Sequence, residues 1–151
     1  MSYFTISELC SSNTAARLKL SNTPPPAIKK NLKETIKFLD LIRVEWGKYC
    51  EKHGLANPSI KVSSGYRSPA VNKAVGGAPT SAHQFGYAAD LQPANGKQTE
   101  FEKFFVTVFS KLGHKYDQII IEKSKTSRWV HVGYKKADGT QRMMCFNLKV
   151  S

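Results

Sequence analysis

From Ala27 to Lys52 the apolar residues Ile28, Leu32, Ile36, Leu39, Ile42, Trp46 and Tyr49 recur at spacings of three and four. That periodicity lines them along one face of a single long amphipathic helix, and a face of that length demands a core to lie on. Pro24, Pro25 and Pro26 stand at its start, where a missing N–H costs nothing, and Gly54 follows its last turn, where a positive φ is needed. Phe101, Phe104, Phe105, Val108 and Leu112 predict a second helix, with Thr99 and Glu102 as its capping box and Gly113 closing it.

The remainder reads as strand. Asp117 to Glu122 and Trp129 to Tyr134 alternate across a polar loop, and Asp138-Gly139 turns the chain into Gln141 to Lys149, so an antiparallel meander is expected. Ile60 to Val62 and Ala88 to Leu91 are short enough to add further strands. The fold class predicted is α+β, an antiparallel sheet with helices packed on one side, as a single domain over residues 1–151. Between the two helices, Ser63 to Pro79 is rich in Ser, Gly and Pro and reads as an irregular loop, the kind of segment that carries function.

Composition narrows the possibilities. A hydrophobic share of 40% permits a real core and excludes a disordered chain. Three cysteines without a Cys-x-x-Cys pair argue against a disulfide framework and against a thiolate metal site, leaving reduced, mostly buried thiols. No apolar run approaches ~18 residues, so no membrane insertion is expected. The opening Met-Ser-Tyr-Phe-Thr-Ile-Ser-Glu lacks a basic stretch followed by an apolar one, so synthesis in the cytoplasm without a signal peptide is expected. The net charge of +12 favours polyanions such as nucleic acid, anionic membranes or wall polymers. No nucleic-acid recognition motif accompanies it, and no specific nucleic-acid partner is expected.

The chemistry concentrates in Ser81-Ala-His83-Gln-Phe-Gly86-Tyr-Ala-Ala-Asp90 and in Trp129-Val-His131. Two imidazoles and one carboxylate suit a catalytic zinc site, which takes three protein ligands and leaves a position for water. Gly86 lets the backbone turn between the first two. His53, in the last turn of the long helix, suits a capping role, and His114, after a helix-ending glycine, has no partner in the sequence.

Several ordered motifs accompany this spacing: Ser64-Gly65-Tyr66-Arg67-Ser68-Pro69, Asn72, Val75-Gly76-Gly77, Asp117-Gln118, and the opening Phe4-Thr-Ile-Ser-Glu8-Leu9 with Asn22-Thr-Pro-Pro. Together they resemble the zinc D-Ala-D-Ala carboxypeptidase family of cell-wall peptidases, which includes phage endolysins and shares its fold with the hedgehog signalling domain. The resemblance covers nearly the whole chain. It implies His83, Asp90 and His131 as ligands of one Zn2+ per chain, Arg67 as the group that holds the substrate carbonyl and its developing negative charge, and Ser81 and Tyr66 at the substrate peptide. Zinc would acidify bound water and polarise the scissile carbonyl.

One position departs from the family pattern. The family places a catalytic Glu or Asp three residues before the last His ligand, and here that residue is Arg128. Strand alternation offers Glu122 instead: if it pairs with Trp129, Ile120 opposes His131 and Glu122 shares a face with His131. Asp117, an odd number of residues away, points to the other face.

The resulting expectation is a monomeric zinc peptidase acting on peptidoglycan peptides, a D,D-carboxypeptidase or endopeptidase. Its size and missing export signal fit a phage lysis or virion-associated enzyme. The alternative is a non-catalytic wall-binding or virion module that keeps the zinc, which the Arg128 departure would favour.

Overall fold

The computed structural model describes residues 2–150. Two short helices, α1 (Ile6–Cys10) and α2 (Asn13–Leu18), precede the long α3 (Pro26–Lys52). Then come β1 (Ile60–Ser64), α4 (Pro69–Ala74), a 3-10 turn at Ala82–Phe85, β2 (Ala88–Pro93) and α5 (Gln98–Thr107). A second 3-10 turn at Phe109–Lys111 leads to β3 (Gln118–Lys123), β4 (Arg128–Gly133) and β5 (Met144–Lys149).

The predicted α3 stripe is the spine of the core. Leu32, Leu39, Ile42 and Trp46 are fully buried and pack with Phe101, Phe104 and Phe105 of α5 against Ala89, Leu91, Ile119, Ile121, Val130 and Val132 of the sheet. Each Leu, Ile, Val or Phe among them contributes about 1.5–3 kcal/mol when removed from water. The residues that alternate with them, Asp90, Ile120, Glu122, Trp129 and His131, face the other way. The sheet therefore has an apolar helix-bearing face and a polar face.

The fold class is α+β as expected, but the sheet is mixed. Its order is β1-β2-β4-β3-β5, and β5 pairs parallel to β3 rather than antiparallel to β4. The predicted meander fails because both edges of β4 are taken, one by β2 and one by β3. The chain leaving β4 crosses instead to the free edge of β3, where Met144, Phe146 and Leu148 lie beside Gln118, Ile120 and Glu122.

Three further differences are local. Ser63 to Pro79 is not wholly irregular, since Ser68 caps α4 by accepting from the Val71 N–H and Pro69 fills the first helical position. The capping box of α5 does not form. Thr99 lies inside the helix, and Glu102 is drawn instead to Arg128 on β4 and Gln98. The helix then ends at Thr107 rather than running to Gly113. His53 is the C-cap residue of α3, its ring tilted on Tyr49, and His114 stacks on Phe109. All three cysteines are free, and burial pushes their thiols up.

Candidate metal centre

β2 and β4 are neighbours in the sheet, and their register sets Asp90 opposite His131. His83 reaches the same point from the 3-10 turn that precedes β2. The sharp reversal between turn and strand depends on Gly86, at φ +76° with its backbone against Leu32 and Ile28 of α3. Thr35 Oγ1 donates to the Gly86 carbonyl at 2.6 Å and Asn31 Nδ2 to that of Phe85 at 2.9 Å, so the long helix pins the turn.

The donor atoms converge. Asp90 Oδ1 lies 3.5 Å from His83 Nε2 and 3.0 Å from His131 Nδ1, and one donor atom from each residue falls within 4.8 Å of the others. Tetrahedral ligands at ~2.0–2.1 Å from zinc stand about 3.3 Å from one another, so two nitrogens and one oxygen at these separations fit that ion. The His83 ring is oriented as a ligand requires: Nδ1 is 2.7 Å from the Gly65 carbonyl and donates to it, which turns Nε2 toward Asp90.

Burial alone would raise the Asp90 carboxyl, but the adjacent His83 and His131 outweigh it and hold the group well below the usual carboxylate range. Burial disfavours the His131 cation, yet the hydrogen bond and charge of Asp90, together with Glu122, raise its pKa above the ordinary imidazole value. A metal at this point would therefore displace a proton from His131.

Arg67 approaches from the other side, with Nη2 3.7 Å from Asp90 Oδ2. Its guanidinium is held by Ser64 Oγ at 3.2 Å and Asn72 Oδ1 at 3.3 Å. Burial pulls the Arg67 pKa down, against the opposing pull of Asp90 and Glu122. Asn72 is itself buried and anchored through the Ala78 carbonyl, and a side chain at Gly77 would collide with it. Asn72 and Gly77 stand in the sequence motif, but a holding role for either appears only once α4 is folded.

The hairpin register is Ile120 with His131 and Glu122 with Trp129, as alternation predicts. Glu122 Oε1 lies 3.9 Å from His131 Nδ1 and accepts from the Trp129 indole N–H at 2.8 Å. Arg128, at the departing position, is on the opposite face and paired with Glu102. Asp117 is also committed: Arg142 binds both of its oxygens, at 2.8 and 2.9 Å, and donates its backbone N–H as well.

A cleft of about 670 Å³ opens over His131 and Glu122, bordered by Ser81, Phe85 and Ile120 and, at one end, by Arg142. Ser81 accepts from the His83 N–H, so its own hydroxyl proton is directed elsewhere. Tyr66, expected at the substrate, does not line this cleft. The residue is 3% exposed and part of the core, and with Arg67 it borders a separate depression. The reason lies in the backbone, since the Tyr66 N–H donates to the Leu9 carbonyl and ties that residue to α1.

Residues 2–133 match the family model described as Peptidase M15. No curated protein matches the chain.

Proposed function

The chain belongs to the peptidase M15 family, and from that premise we propose that it is a zinc-dependent enzyme that hydrolyses a peptide bond in bacterial peptidoglycan. The observation that carries this reading is the convergence of His83, Asp90 and His131, with Glu122 and Arg67 beside them. These three residues would hold one zinc ion, which supplies Lewis acidity toward a carbonyl oxygen and toward water.

The chain's own groups divide the remaining work. Arg67, immobilised by Ser64 and Asn72, presents a fixed cation to the carbonyl oxygen, where negative charge develops in the transition state. Glu122 accepts the proton of the attacking water. Its Oε1 receives the Trp129 N–H, which orients the carboxylate and leaves Oε2 to act as the base. The Ser81 hydroxyl borders the cleft where it can donate to the substrate backbone. Glu122 thus supplies from β3 the carboxylate that the Arg128 position lacks, which favours turnover over a purely wall-binding role. A phage lysis or virion-associated setting rests on the resemblance alone.

The test is digestion of purified peptidoglycan with and without a chelator, with released fragments read by mass spectrometry. Zinc-restorable release of D-Ala would mark a carboxypeptidase, and release of stem fragments an endopeptidase. Release that is indifferent to chelation, or none from zinc-loaded protein, would overturn the proposal.

A further inference from the structure

At the opposite end of the sheet from Arg142, the β3–β4 turn, the start of β1 and the end of β2 enclose a second concavity of about 530 Å³. Lys61, Lys123, Lys125 and Arg128 line it with Gln92 and Gln98. Its walls carry no carboxylate and no aromatic ring. Among the described residues no acid pairs with Lys61, Lys123 or Lys125, and all three are exposed. The turn has a defined shape. Ser124 Oγ accepts from the N–H groups of Thr126 and Ser127, and Gln92 Nε2 donates to the Arg128 carbonyl at 2.8 Å.

We propose that this groove binds a linear polyanion of repeating phosphodiesters, a polyol-phosphate chain borne by the wall; the wall as its source rests on the peptidoglycan reading above. The groove selects by charge. Without an aromatic wall it offers nothing for a sugar face or a nucleic-acid base to stack on. Carboxylates are best matched by the planar fork of arginine, and the sole arginine here is already bound to Glu102. Three free ammonium groups with hydroxyl and amide donors around them suit phosphate oxygens, which accept from point charges in any direction. The groove and the metal cleft lie at different places on the sheet, so the polymer would hold the protein on the wall while the cleft stays open to a peptide.

The test measures binding of the zinc-loaded protein to poly(glycerol phosphate), to polyglutamate and to duplex DNA over a range of salt. The same series is run on the triple variant Lys61→Gln, Lys123→Gln, Lys125→Gln, with hydrolysis of a soluble stem peptide measured in parallel. The expected result is preference for poly(glycerol phosphate). Its log-affinity against log-salt slope should be shallower by about 2 in the variant, ~0.7 for each lysine lost. Peptide hydrolysis should be unchanged. Equal binding by variant and parent, or polyglutamate bound as tightly, overturns the proposal, and tighter DNA binding that the variant loses reassigns the groove to nucleic acid. Peptide hydrolysis absent from both proteins sinks the enzymatic reading instead, leaving the binding result to decide the groove.

Discussion

The two faces of the central sheet are built from alternate residues of the same strands, yet they work under opposite rules. On the helix face, Leu91, Ile119, Val130 and Val132 are fully buried, and close packing is their whole contribution. On the cleft face, the carboxylates of Asp90 and Glu122 lie 3.0 and 3.9 Å from the His131 ring, an arrangement of ionisable groups that adds little to stability and suits chemistry. A single residue's shift in register exchanges the two sets, which makes the strand pairing itself the main determinant of the site.

The comparison breaks most sharply at His131. His131→Ala should abolish stable metal binding, read by elemental analysis as loss from one zinc per chain, whereas Cys50→Ser, on the helix side, should keep the metal. Full occupancy in His131→Ala would remove the basis of the site. Next, Glu122→Gln at equal zinc content should lower turnover ~100- to 10,000-fold. Asp117→Asn should act chiefly on stability, because that carboxylate is already saturated by Arg142. A dead Asp117→Asn beside an active Glu122→Gln would exchange their assignments. Arg67→Ala should fold, retain zinc and lose roughly 100- to 1,000-fold in kcat, with little recovery in Arg67→Lys.

Across the sheet the sign of the effect changes. Leu91→Ala should cost about 2–5 kcal/mol in denaturant unfolding while the folded fraction keeps its kcat. Smallest of all, Arg128→Met breaks a partly exposed pair with Glu102 and should change stability by up to about 1 kcal/mol and leave hydrolysis unaltered. A large loss of activity there would mean that the departing position still takes part in catalysis.

Periodic and alternating signals made much of this legible in the sequence. The α3 stripe, the aromatic face of α5 and the β3–β4 register follow from spacing, and the three converging donors follow from motif order. Helices α1, α2 and α4, of five or six residues, are too short to show a period. Their signals were caps: Thr5 accepting from Glu8, Ser12 from Ala15 and Ser68 from Val71. The placement of β5 is illegible for another reason, since it depends on which of the two edges left by the other strands the chain reaches. For Tyr66 the motif identifies a neighbour of Arg67 without saying which way its ring points, and the ring is buried.

Gly65 joins the N-terminal segment to the metal centre. Its carbonyl takes the His83 Nδ1–H, and its Cα lies so close to Leu9 that an added Cβ would stand 2.2 Å from the Leu9 oxygen. If the site holds zinc as proposed, opening of α1 should be coupled to metal release, and zinc should raise the free energy of that local opening. Limited proteolysis should read this out as slower cleavage within the first dozen residues of the zinc-loaded protein, with cleavage rates in the β3–β4 turn unmoved.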